Sequence, residues 1–328
     1  MSYIWQPLTA GSMTLRNRLV FPPMATARAS EDGSVTDNQV EYYREKSNGG
    51  YIGLIIIEHS FIAQQGKASA GQLSVAEDRQ IAGLSRIAEA IHSNGAKTMM
   101  QINYAGSMAK TAVTGCEVVG PSAVMNPNGT ELPRALTKEE IQGIVKEFAQ
   151  AARRVQAAGF DGVEIHSAHA YFLNQFLSPL TNHRTDEYGG TLDNRIRLHL
   201  KVIQAVRAAV GPDFTIALRL GASDYMDGGT TIEDSMYAAQ RFQEAGIDIL
   251  DVTGGMCRFI VPGLEGQGYF APLSRELEKV VSIPVILTGG ITEGAAMEQL
   301  LQEHAADLIG VGRAVYQDSG WAERVMGR

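Results

Sequence analysis

The chain has 328 residues, enough for one large α/β domain or two ordinary ones, and its 45% hydrophobic and 20% charged content is that of a globular protein. A net charge of −8 argues against a nucleic-acid partner, which would favour a basic face. The two cysteines, Cys116 and Cys257, are far apart and neither has a C-x-x-C partner, so they read as reduced thiols, not as an iron–sulfur or metal site.

The N-terminus, MSYIWQPLTAGSM, has no basic start and no long apolar run, so no signal peptide is expected. Residues 18–24 (RLVFPPM) read as a strand ending at prolines, and 36–48 as a helix capped by Thr36 or Asp37. Residues 51–58 (YIGLIIIE) form a near-continuous apolar strand, as expected when both faces are covered. Its apolar core, 54–57, is far too short for a bilayer, so the expectation is a cytoplasmic protein without a membrane partner. A helix over 77–94 ends at Gly95, and the third strand is 97–103. The polar stretch 104–134 reads as a long loop or capping insertion after it, and such length usually carries function. Thr137 opens a capping box, TKEE, on a helix that stops at Gly159. Strands then recur at 160–166, 214–220, 247–253, 283–287 and 307–311, with helices near 193–210, 231–245, 273–281 and 292–302. No composition break divides the chain. Eight strands alternating with helices predict an α/β fold with a parallel sheet, a single-domain (β/α)8 barrel over residues 1–328; an open doubly wound sheet is the alternative.

In such a barrel the chemistry lies at the C-terminal strand ends. There the glycines of TGG (288–290) and GVGR (310–313) suit a phosphate site, with Gly289, Gly290 and Gly312 admitting close backbone approach and Arg313 adding a charged donor. The same glycines could instead serve tight turns. Arg219, inside the apolar strand FTIALRL, is either half of a structural ion pair or a holder of developing negative charge. His166 and His169, three apart, can face one side of a first helical turn and both donate to one oxygen, with Tyr171 supplying a proton from another direction. Metal ligation or a purely structural role are the alternatives, although no third ligand stands at metal-like spacing.

The block EIHSAHAYFLNQFLSPLTNHRTDEYGGTLDNRIR (164–197) resembles the signature of the old yellow enzyme family of flavin oxidoreductases. RNRLVFPPM, GLIIIE, QINYAG, GASDY and GVGR match that family in order, so the resemblance spans almost the whole chain. It implies an FMN-containing barrel that takes hydride from NADPH or NADH and passes it from flavin N5 to the β-carbon of an activated alkene. It further implies that His166 and His169 grip the acceptor oxygen and that Tyr171 protonates the α-carbon. Gln101 and Arg219 match the flavin's pyrimidine-side contacts, Pro23 and Met24 the backbone beside its rings, and Gly289, Gly290, Gly312 and Arg313 the phosphate grip. The expected partners are small molecules, and homo-oligomerisation stays open. Nitro-compound reduction or a dehydrogenation is the alternative chemistry on the same cofactor. A colourless aldolase- or isomerase-type barrel would want a lysine or carboxylate base at a strand end, and no lysine ends a strand.

Three positions depart from the family pattern. Ala25 stands beside the flavin where a Thr or Cys usually hydrogen-bonds it, His59 where a small residue near the flavin is common, so that it either contacts the flavin edge or caps its strand, and GSM (106–108) where a basic residue often follows the glycine. Without a hydroxyl or thiol at 25, the flavin potential is expected to be low. Ala25→Thr should therefore raise the midpoint potential of bound FMN, measured against reference dyes; an unchanged value would sink this assignment.

Overall fold

The computed structural model describes residues 2–327. Eight parallel strands form a closed barrel in chain order: β1 Leu19–Phe21, β2 Leu54–Phe61, β3 Lys97–Asn103, β4 Gly162–Ser167, β5 Thr215–Gly221, β6 Ile249–Thr253, β7 Val285–Thr288 and β8 Leu308–Gly310. The pairing of Ile309 with Leu19 and Gly310 with Val20 closes the ring and excludes the open sheet. Outside lie α1 Asp37–Ser47, α2 Ile81–His92, α3 Lys138–Ala157, α4 Leu192–Val210, α5 Ile232–Ala245, α6 Ala271–Glu278, α7 Gly294–Gln302 and α8 Arg313–Gln317.

Local signals set most element ends. Thr36 accepts from Gln39 N at 3.2 Å. The box at Thr137 closes both ways, Glu140 N to Thr137 Oγ1 at 3.2 Å and Thr137 N to Glu140 Oε2 at 2.8 Å. Elsewhere the boundaries moved. Strand β1 stops at Phe21 because Pro22 and Pro23 have no N–H to donate to a ladder, which frees 22–25 as a loop over the barrel mouth. Helix α2 begins at Ile81, after a separate 3₁₀ turn, Asp78–Gln80.

Strand β2 continues three residues past its expected end, and its register against β3 shifts between Ile57 and Ser60. That bulge inserts one residue at Glu58–His59 and re-aims both side chains. The buried Glu58 carboxylate accepts from Thr26 N at 2.6 Å and Thr26 Oγ1 at 2.7 Å, and also from Gln39, so it anchors the β1 loop and α1 to the barrel.

A hairpin, Leu8–Ala10 with Met13–Leu15, plugs the N-terminal end. Its Ala10, Met13 and Leu15 join inward-facing Val20, Leu54, Ile56, Met99, Ala217, Ile249, Ile286 and Leu308 in one apolar cluster. The lower barrel is thus a packed core, and only the upper end is left for polar side chains.

The 104–134 stretch contains a 3₁₀ turn, Gly106–Met108, a helical turn, Thr111–Thr114, and the short pairing of Val119–Gly120 with Arg134–Ala135. Asn126 Nδ2 donates to Ala170 O at 3.1 Å and Asn128 Nδ2 to Met256 O at 2.8 Å, so the stretch braces the loops after β4 and β6. Among the described residues no helix is long and apolar enough to cross a membrane.

Candidate active site

A cavity of about 710 Å³ opens at the C-terminal end of the barrel. Pro23, Met24, Ala25, His59, Gln101, His166, His169, Tyr171, Arg219, Gly289, Gly290, Gly312 and Arg313, the residues expected to bind cofactor or acceptor, line it, whereas Gly106–Met108 do not.

The β4 end departs from the expected helical turn. His166 still belongs to the strand, and the chain then reverses through two consecutive left-handed residues, His169 at φ 57° and Ala170 at φ 65°. Non-glycine residues adopt this region only at a cost, so their surroundings must hold them there. Ala170 N donates to Asn174 Oδ1 at 2.8 Å, Gln175 Nε2 to Ala170 O at 2.7 Å, and His169 N to Gly254 O at 3.3 Å. The short helix Phe172–Leu177 starts only after Tyr171. It is this reversal, not i, i+3 spacing on a helix, that gathers the rings. Centroids lie 5.2 Å apart for His166 and His169, and 5.1 Å for His166 and Tyr171.

Both histidines are held below the usual imidazole range. Burial is the main cause, with His169 and Arg219 adding to it at His166, and Arg219 and Arg258 at His169. They are neutral rings, each with one N–H to give. His169 Nε2 sits 2.9 Å from Thr253 Oγ1, and among the described residues no hydrogen bond occupies His169 Nδ1 or either nitrogen of His166. Tyr171 is raised by burial, partly offset by Arg258, so its phenol keeps its proton. Among the described residues no group of three or more potential ligands surrounds the pair.

His59 does not cap its strand. Its ring lies 5.4 Å from Tyr171 and 6.4 Å from His166. Gln72 Nε2 and Asn103 Nδ2 approach His59 Nδ1 at 3.2 and 3.3 Å; both are donors, so Nδ1 accepts and the ring proton belongs on Nε2. Burial, with Arg258 second, pushes this imidazole down to about 4.

The floor carries a group missed in the sequence. Glu164 and Asp251 face each other beneath the cavity, where Glu164 Oε1 and both Asp251 oxygens are buried without a donor; both carboxyls are raised by burial, Asp251 to about 6 against the pull of Arg219. Two buried carboxylates in contact need a proton between them. The available signal was an acid inside each of two apolar strands, GVEIH and ILDVT. Gln101 Nε2 donates to Glu164 Oε2 at 2.6 Å, which leaves its carbonyl for the cavity. Arg219 Nε lies 3.2 Å from Asp251 Oδ2, without hydrogen-bond alignment, and its two terminal nitrogens make no protein hydrogen bond. Both earlier readings of Arg219 therefore have a basis: it is ion-paired, and its fork is still free.

At β7 and β8 the glycines divide. Gly289 (φ 131°) and Gly290 (φ 69°) are left-handed, and a side chain on Gly290 would strike Gly266 O, so both turn and close packing require glycine. Gly312 has an ordinary negative φ, so turn geometry does not explain it.

These surroundings fit an FMN. The Arg219 guanidinium and the Gln101 amide carbonyl would suit a pyrimidine-type donor–acceptor edge, and glycine backbone with Arg313 would suit a phosphate. Arg258, Phe259, Tyr269 and Phe270 also line the cavity, all from the 255–271 loop, whose shape the sequence did not disclose.

The model of the NADH:flavin oxidoreductase / NADH oxidase family matches residues 3–327. The chain is 41% identical over 96% of its length to an NADH oxidase of Thermoanaerobacter brockii, but spans only 49% of that protein. It is 36% identical over 97% of its length to an NADPH dehydrogenase of Geobacillus sp. (strain WCH70), covering 92% of it. The old yellow enzyme homologue from Zymomonas mobilis superposes with a TM-score of 0.86 at 29% identity, over 98% of this chain and 91% of that one.

Proposed function

Because the chain belongs to the NADH:flavin oxidoreductase / NADH oxidase family, and is thus an FMN-dependent oxidoreductase drawing on NADH or NADPH, we propose that it reduces activated alkenes such as enones, enals, maleimides and nitroalkenes. The chemistry FMN brings is two-electron storage, hydride in from the nicotinamide and hydride out to the acceptor. The protein's part is to polarise the acceptor and complete the addition. His166 and His169, neutral donors side by side, hold the carbonyl or nitro oxygen and draw electron density from the C=C bond. The β-carbon becomes the hydride acceptor, and Tyr171 gives its phenolic proton to the α-carbon, to be restored from solvent. Gln101 and Arg219 would hold the pyrimidine edge, Pro23, Met24 and Ala25 would flank the ring system, and the glycine loops with Arg313 would hold the phosphate.

The observation that carries this reading is the ring triangle of His166, His169 and Tyr171 on one cavity wall, with no hydrogen-bond partner on His166 or on the Tyr171 hydroxyl among the described residues. The test is a steady-state screen of the yellow, FMN-loaded protein with NADH and NADPH against enones, maleimides, nitroalkenes and nitroarenes. Turnover of the alkenes is expected; nitroarene reduction without alkene reduction would overturn the reading.

A further inference from the structure

One cation of the cavity has no counter-charge beside it among the described residues. Three guanidiniums line it, those of Arg219, Arg258 and Arg313, and among the described residues no aspartate or glutamate does. Arg219 has Asp251 below it, and an FMN phosphate answers Arg313. Arg258 is left over: it has no carboxylate partner, and its Nε is buried without a hydrogen bond. Leaving a buried charged donor unpaired is costly, and such a group usually awaits a ligand.

Its placement is specific. Arg258 is left-handed at φ 64°, held by its own N–H on Gly255 O at 2.9 Å. The same turn accepts His169 N–H at Gly254 O, so the turns carrying Arg258 and His169 are tied together. The guanidinium lies 5.2 Å from the Phe259 ring centroid, and Phe259 stands edge-on to His169 at 5.7 Å. Phe259 is 46% exposed, so this arginine sits toward the mouth, within electrostatic reach of His59, His169 and Tyr171.

We propose that Arg258 is an anion subsite of the acceptor pocket, and that the favoured acceptors are alkenes carrying a carboxylate besides the carbonyl that activates the double bond, as in half-esters of enedioic acids. This rests on the alkene-reductase reading above. The division of labour follows from charge: neutral His166 and His169 suit an uncharged carbonyl oxygen, and the permanent cation suits a carboxylate.

The FMN-loaded enzyme and its Arg258→Met and Arg258→Lys variants are compared on monomethyl fumarate, a monoanion, and dimethyl fumarate, its neutral counterpart. Arg258→Met is expected to lower kcat/KM for the half-ester about 10- to 100-fold, the worth of a charge-assisted hydrogen bond. The loss on the diester is expected to be at least about tenfold smaller, with Arg258→Lys in between and flavin reduction by NADH or NADPH changed less than about twofold. Equal losses on both esters, or a loss confined to flavin reduction, would overturn the proposal; the latter would place the dinucleotide's phosphates on Arg258. Monomethyl succinate, which cannot be reduced, separates the two readings through its shift of the flavin absorbance. If neither fumarate turns over yet succinate binding still depends on Arg258, the alkene reading falls and the anion subsite stands. If succinate binding is indifferent to Arg258, the subsite falls.

Discussion

Tyr171→Phe is expected to leave flavin reduction by NADH or NADPH intact and to slow alkene reduction by about 100- to 10,000-fold, the usual worth of a positioned general acid. The phenol suits that role. Burial keeps its pKa above the ordinary tyrosine value, so it stays protonated across the neutral range, and no protein acceptor competes for its hydrogen. Its ring is fixed between His166 and His59 at 5.1 and 5.4 Å, so removing one oxygen atom should not disturb the wall. Stopped-flow measurement of the two half-reactions separates the effects. A drop shared equally between them would show that the substitution damaged the cavity and not the proton step. A further consequence is that no alkaline limb attributable to Tyr171 should appear in the oxidative half-reaction below about pH 10.

Arg219→Met is expected to weaken FMN binding by about 100-fold or more and to lower the bound flavin's midpoint potential. Arg219 is 6% exposed and is the cation nearest the paired Glu164 and Asp251. Removing one member of a buried charge pair typically costs about 3–5 kcal/mol, because the other is stranded. Here the stranded partner has a remedy: Asp251, already pushed up to about 6, takes a second proton onto the dyad. The barrel should therefore still fold, and the loss should fall on the cofactor, whose pyrimidine edge no longer meets a guanidinium. Flavin release followed by fluorescence, and a dye-equilibrated redox titration, read the two effects. An unchanged potential would reduce Arg219 to a structural partner of Asp251. A double variant, Arg219→Met with Asp251→Leu, should recover stability without recovering potential.

Much of this protein was readable one segment at a time. Thr36 and the Thr137–Glu140 box announced their helices, glycines ended them, and unbroken apolar runs announced strands covered on both faces. These are interactions within one turn of chain, so sequence alone determines them. Strand ends, once placed, put His166, Tyr171, Arg219 and Gly290 at one end of the molecule, because parallel strands all finish on the same side. What only the tertiary structure decided is how neighbours distant in sequence bend the chain there. The bulge at Glu58–His59 turns one side chain toward Thr26 and Gln39 and the next into the cavity. The left-handed turn at His169–Ala170 has local support from Asn174 and Gln175, but it is Asn126 and Gly254, from the loops after β3 and β6, that tie it in place. The proton shared by Glu164 and Asp251, and the solitary charge of Arg258, arise the same way. Each depends on which groups from other strands and loops do or do not come within reach, and no local pattern of side chains encodes that.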